Sequence, residues 1–234
     1  MAFSERVHPD LVAGIRVAGP IVVGIVPFAL ITGITATGAG LTIAEAVGMS
    51  VIVFAGASQL AAIDLIGSNA PFAVVVATAV VINARMLMYS ASIAPHFRAY
   101  TLRLRGLAAY VLTDQAYAAS IAEYRANDGR DRIRYYMGIA VTLWVVWQVG
   151  TVVGAVLGAS VPAALGLDFA LPLVFLALLV PAMKDAGTTV AGIVAGTVAL
   201  AVATVGVPLN LDLPIAAVAG VASGLVVGAR GNDD

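Results

Sequence analysis

Apolar residues run along this chain in long blocks separated by short polar punctuation, at about 14–37, 44–66, 72–94, 135–158, 169–183, 188–206 and 213–229. A helix rises about 1.5 Å per residue and a bilayer core is about 30 Å thick, so blocks of this length read as membrane spans. Connections such as Gly67-Ser68-Asn69-Ala70-Pro71 have turn chemistry and force neighbouring helices to pack antiparallel. The pattern predicts an all-α polytopic membrane protein with seven or eight transmembrane helices.

The count turns on one segment. Between His96 and Arg134 lies the only polar region of any size, and inside it Gly106 to Tyr124 is long enough to cross but carries Asp114 and Gln115. With eight spans both termini are cytoplasmic. Arg6, Arg16, Arg125, Arg130, Arg132, Arg134, Lys184 and Arg230 then lie inside, against Arg98, Arg103 and Arg105 outside. With seven, the segment is re-entrant or interfacial, the N-terminus is outside, and only Arg6 and Arg16 oppose the inside set. Both arrangements obey the positive-inside rule.

Three spans depart from plain lipid-facing helices. The first contains Pro20 and Pro27 among glycines, followed by Thr32, Thr35 and Thr37, and the fifth is short and bounded by Pro172 and Pro181. Proline removes a backbone donor and frees a carbonyl, so the first and fifth are expected to be kinked or broken. Interrupted helices often line transporter sites, although packing kinks are also common. The fourth carries Gly150, Gly154 and Gly158 at four-residue spacing, a face for close helix packing.

Composition agrees with the pattern. The chain is 61% hydrophobic and 11% charged, with a mean hydropathy of +1.02, where soluble domains run about 45–50% apolar and about 25% charged. Spans and short connections use nearly all 234 residues, which reads as one integral membrane domain. No Walker motif or dinucleotide glycine pattern occurs, and a net charge of −1 gives no sign of nucleic acid binding. Both histidines, His8 and His96, lie outside the apolar runs. That leaves no histidine-based metal cluster or serine–histidine dyad at depth, so an enzyme fits poorly and no cofactor is implied. The polar start, Met1 to Asp10, leads into an apolar run longer than a signal peptide and reads as retained.

Within this apolar background Arg85 is the anomaly. It sits near the middle of the run Phe72–Ala94, where a guanidinium costs roughly 2.5–3.5 kcal/mol on insertion scales and cannot be deprotonated. It needs an acidic partner, carbonyls, water or a ligand's carboxylate, or it locks helices together as a structural ion pair. Tyr89, four residues on, shares its face, whereas Asn83, two before, points about 200° away. In the second span Gly56, Ser58 and Gln59 place polar groups beside a glycine that permits local unwinding. Asp64, near that span's end, reads as a counter-ion for Arg85, a proton carrier, or simply a solvated helix-end carboxylate. Asp114 is the stronger proton-coupling candidate if its segment enters the membrane. Glu45 is expected to complement a helix N-terminus, and Trp144 and Trp147 to pack.

Taken in order, these pieces carry a resemblance. Pro27-Phe28 with its glycine-threonine stretch, Phe54-Ala55-Gly56-Ala57-Ser58-Gln59, Asn83-Ala84-Arg85 with Tyr89, and Thr113-Asp114-Gln115 resemble the AzlC family of branched-chain amino-acid permeases over about residues 11–229. Gln115 stands where that family often has glutamate, which leaves Asp114 as the acid of the motif. The resemblance implies export of valine, leucine or isoleucine through a multi-pass prokaryotic cell-membrane protein, with a small AzlD-type membrane subunit as partner. Its site residues would be Arg85, Asn83, Tyr89, Gln59, Ser58, Gly56 and Pro27, with Asp114 and Asp64 as proton-coupling candidates. A zwitterion with an apolar side chain needs donors for its carboxylate, which Arg85 or the first helix would offer, and an acceptor for its ammonium, from Asp114 or Gln59. Gradient coupling is the default, with a separate ATPase or a passive channel as the alternatives.

Overall fold

The computed structural model describes residues 8–127, 129–160, 183, 185–205 and 212–230, all helix and connection with no strand among them. They divide into two compact units, Met1–Leu167 and Asp168–Asp234, taken in turn below.

In the first unit α1 (Pro9–Gly38) and α8 (Arg132–Ser160) form the scaffold. Helix α1 begins with Pro9 at its first position, where a missing N–H costs nothing, and His8 Nδ1 accepts from the Asp10 amide. It then runs unbroken through Pro20 and Pro27, so of the two expected outcomes for the first span, a break does not occur. Each proline forfeits one bond to the carbonyl four residues earlier, and the rest of the ladder and the packing against α8 carry the helix across. That packing is backbone to backbone: a Cβ at Gly33 would strike the Thr151 carbonyl, and one at Gly154 the Leu30 carbonyl. The glycine face read from the fourth span therefore meets α1.

Helix α1 ends in a Schellman turn, with Gly40 left-handed and the Leu41 amide reaching back to Ala36. Next come α2 (Ile43–Val53), α3 (Gly56–Gly67), α4 (Phe72–Asn83) and α5 (Arg85–Ile93). Helix α2 opens with a full capping box between Thr42 and Glu45, the role expected for Glu45. Helix α3 closes in a second Schellman turn, with Asn69 left-handed and the Ala70 amide bonded to Leu65, which is the predicted turn before Pro71. A short 3-10 turn (Ala94–Phe97), α6 (Leu102–Tyr110) and α7 (Asp114–Ala126) lead to α8. The core lies around the fully buried Tyr136, Ile139 and Leu143 of α8, and the Tyr136 hydroxyl donates to the Ala108 carbonyl at 2.7 Å.

In the second unit α9 (Ala186–Val205) and α10 (Asp212–Arg230) pair through small residues. A Cβ at Gly220 would lie 2.7 Å from the Ala191 carbonyl oxygen. Asp185 and Thr188 cap the start of α9 reciprocally. The fifth apolar block, with Pro172 and Pro181, lies outside the described residues.

Pro9–Gly38, Phe72–Phe97 and Arg132–Ser160 are each long and apolar enough to cross a membrane, and Ile43–Val53, Ala186–Val202 and Ile215–Ala229 are shorter apolar helices. The second apolar block, expected as one span, is instead two half-helices. The ambiguous segment is likewise divided, between α6 and α7.

Candidate functional site

The first interruption lies at Phe54-Ala55. Phe54 is left-handed (φ 39°, ψ 51°) and Ala55 is extended, so the ladder of α2 stops and α3 starts afresh at Gly56. A left-handed phenylalanine is strained by roughly 1–3 kcal/mol and persists only where its surroundings hold it. Here Phe54 is buried with Trp147 and Ala29. The opening of α3 fits between rings: a Cβ at Gly56 would lie 2.6 Å from Trp147 Cη2 and 2.7 Å from Phe28 Cε1. Only glycine fits there without displacing a ring.

Polar side chains hold the interruption open. The Ser58 hydroxyl donates to the Ala55 carbonyl at 2.9 Å, and Gln59 Oε1 accepts from the Ala55 amide at 3.3 Å. Ser58 and Gln59 are both fully buried. On the other side, the carbonyls at the end of α2 are met from outside the helix. The Tyr110 hydroxyl donates to Val51 at 2.7 Å and Gln148 Nε2 to Ser50 at 3.3 Å.

Tyr110 is also the last residue of α6, at the second interruption, Val111-Leu112-Thr113. Thr113 then caps α7, its hydroxyl accepting from the Ala116 amide, and Asp114 occupies the first turn where a carboxylate suits the helix dipole.

Arg85 and Asp114 meet beside this point, Nη1 to Oδ2 at 3.0 Å, each side chain about a third exposed (37% and 34%). Helix α5 therefore presents Arg85 to the start of α7. The pairing repeats one turn along: Tyr89, four after Arg85, stacks on Tyr117, three after Asp114, with centroids 4.6 Å apart. The Tyr117 hydroxyl then donates to Ser92 at 2.8 Å. Tyr89 thus shares a face with Arg85 as expected, but its ring stacks on a tyrosine rather than on the guanidinium. Several shielded atoms around the interruptions have no hydrogen-bond partner: Gln59 Nε2, Asn83 Oδ1, Arg85 Nε, Asp114 Oδ1, Trp147 Nε1 and Gln148 Oε1. Buried polar atoms left unsatisfied are uncommon in folded proteins, so their concentration at these helix breaks singles the region out as the candidate site.

The residues singled out from sequence fall into three sets. Gly56, Ser58 and Gln59 gather at the first interruption, and Arg85, Tyr89 and Asp114 on the α5–α7 ladder. Asn83 ends α4 at the tightened turn before Arg85, where the Ala84 amide bonds to Val81 and the Leu87 amide to Ala84. Pro27 is exposed on α1, and the neighbouring Phe28 is the residue that reaches Gly56. Asp64 is exposed on α3, while the ion-pair partner of Arg85 is Asp114. For Gln59, expected as an acceptor for an ammonium group, the acceptor is used by Ala55 and the unused atom is a donor. Sequence reasoning missed Tyr110 and the Val111–Thr113 interruption. The signal was Thr113 followed by Asp114, a helix-start pair in the middle of an apparent span.

The family model described as AzlC protein matches residues 20–161. The chain belongs to the AzlC family. Both interrupted helices, the Arg85–Asp114 pair, all of α8 and α1 from Pro20 onward lie within the AzlC match. Among AzlC-like relatives, the chain is 30% identical to "Inner membrane protein YgaZ" of Escherichia coli K12 over 171 residues, 70% of each chain. It is 29% identical to an "Uncharacterized membrane protein" of Archaeoglobus fulgidus over 175 residues, 73% of this chain and 75% of the other. No solved structure shows significant similarity to it. This AzlC protein is a membrane protein, as its relatives' names and its apolar helices both indicate.

Proposed function

We propose that this AzlC protein is a secondary-active transporter of the prokaryotic cell membrane that exports branched-chain amino acids, working with a small AzlD-type membrane subunit. The substrate class and the partner follow from the family resemblance. The observation that supports a coupled transporter is the Arg85–Asp114 pair at the start of a half-helix. Each side chain is a third exposed and Arg85 Nε and Asp114 Oδ1 have no hydrogen-bond partner, which leaves both groups capacity to take up another partner. In this reading Asp114 alternates between Arg85 and a proton, and the release of Arg85 moves α5 against α7. The Tyr89–Tyr117 stack one turn away is the pivot.

Transport in proteoliposomes tests this, with the small subunit present and absent. A proton gradient is expected to drive uphill leucine movement in the wild type. Asp114→Asn is expected to retain leucine counterflow while losing gradient-driven accumulation. Equilibration of leucine that no ion gradient makes uphill would replace the coupled transporter with a passive channel.

A further inference from the structure

The geometry points to the first turn of α3 as the seat of the substrate's carboxylate, formed by the amides of Gly56, Ala57 and Ser58 with the side-chain amide of Gln59. This deepens the amino-acid transport reading and rests on it for the identity of the ligand.

Three observations converge. Helix α3 is 12 residues long, has no side-chain cap and no acidic residue in its first turn. The amides of Gly56, Ala57 and Ser58 make no hydrogen bond, the first bond of the helix being Gln59 N–H to the Ala55 carbonyl. A helix start of this kind carries about half a positive charge and three unmet donors, which in an apolar setting is a site for an anion. The second interruption differs, because Thr113 caps α7 and Asp114 already supplies its negative charge.

A helix start alone would not make a site. The independent observation is Gln59: its side chain is fully buried, yet Nε2 has no partner. Its Oε1 is held by the Ala55 amide, which fixes the orientation of the group, since an NH2 cannot accept from an N–H. The free Nε2 is therefore pinned at the interruption, on the side chain whose oxygen meets the residue just before Gly56. A buried donor left unsatisfied forfeits the hydrogen bond it had with water, and a bound carboxylate would restore one. Access is retained, because Gly56 and Ala57 are partly exposed. The absence of a Cβ at Gly56 lets Trp147 and Phe28 close on the same turn, forming an apolar wall. Arg85 is then free for its pairing with Asp114.

The test uses the purified full chain and two probes that lack the amino group, 4-methylpentanoate and its neutral amide, read by tryptophan fluorescence. The chain has only Trp144 and Trp147, and Trp147 touches Gly56. The wild type is expected to bind the carboxylate at least tenfold more tightly than the amide. Gln59→Glu keeps the size of the side chain and its acceptor for Ala55 but places a carboxylate in the seat. It is expected to abolish the carboxylate preference while leaving the thermal midpoint unchanged or higher, because an acid suits a helix start. Arg85→Gln is expected to keep the preference. No preference in the wild type, a preference surviving Gln59→Glu, or one abolished by Arg85→Gln would each overturn the assignment. Leucine transport without the preference removes this inference alone. The preference without leucine transport removes the transport reading and leaves the carboxylate seat standing.

Discussion

Tyr110, the last residue of α6, donates its hydroxyl to the carbonyl of Val51 near the end of α2 across 2.7 Å, and so ties together the ends of two half-helices. The same oxygen accepts from Trp144 Nε1 at 3.1 Å, which anchors the junction to α8. A phenol is suited to this position because it both donates and accepts, and its ring lies near Phe54, the strained residue of the first interruption.

Tyr110→Phe removes both hydrogen bonds and retains the ring. The expected loss of stability is about 1–2 kcal/mol, the net value of one or two neutral hydrogen bonds with the Val51 carbonyl left unmet. Thermal unfolding in detergent measures it. If the tie also coordinates the two interruptions, the variant's transport rate falls by more than its stability loss accounts for at a temperature where it remains folded.

Arg85 and Asp114 allow a sharper comparison. Removing one partner leaves an uncompensated charge in an apolar setting. Because the pair is a third exposed, the cost should fall below the about 3–5 kcal/mol typical of a fully buried pair. Arg85→Leu alone is expected to destabilise more than the double change Arg85→Leu with Asp114→Leu. The double variant should regain thermal stability without regaining gradient-driven transport, and recovery of both would assign the pair a purely structural role.

Much of this architecture was legible in the chain, for identifiable reasons. The glycines 150, 154 and 158 announced the α1–α8 contact because close backbone approach in a membrane requires small residues at helical spacing. Arg85 announced its own need for a partner because its charge cannot be removed. Hydropathy could not reveal the interruption at Phe54-Ala55, since both residues are apolar and the break is made by backbone conformation and tertiary packing around Gly56. The prolines of α1 are conspicuous in sequence, yet they do not break the helix, because a long helix packed against α8 absorbs two missing hydrogen bonds. The choice of Asp114 over Asp64 as the partner of Arg85 depended on the register of α7, which is set by the Thr113 cap.

The scaffold itself can be tested at its glycines. Gly33→Ala would drive a Cβ into the backbone of Thr151 and Ala155, whereas at Gly19 a Cβ meets nothing within 4 Å. Overpacking of a rigid backbone contact costs typically 1–3 kcal/mol, while alanine in an open helical position is favoured by up to about 1 kcal/mol over glycine. Gly33→Ala should therefore lower the thermal midpoint and Gly19→Ala should raise it or leave it unchanged. Equal effects would remove the α1–α8 backbone contact from the account.

The final prediction concerns the connection into α8, where Arg130 bridges two elements. Its Nε bonds Glu123 at the end of α7 at 2.6 Å and its Nη1 bonds Asp10 at the start of α1 at 3.0 Å. The Glu123 and Asp10 carboxylates hold the guanidinium even above the usual arginine range, so its charge is permanent. Asp10 also accepts from the Asp131 amide, and Asp131 in turn receives the Tyr100 hydroxyl and the Arg134 guanidinium. A guanidinium serves two carboxylates at once because its donors diverge in a fixed plane, whereas an ammonium is a single point of charge. Arg130→Lys is therefore expected to keep one of the two contacts and lose the other. Because the group is partly exposed, Arg130→Ala should cost about 1–2 kcal/mol, less than a buried network would, and part of that cost should vanish at high salt. A double-mutant cycle of Arg130→Ala with Asp10→Ala, followed by thermal unfolding at low and high ionic strength, measures the coupling. A coupling near zero at low salt would mean that the cross-link between α1 and the α7–α8 connection comes from the Asp131 amide alone.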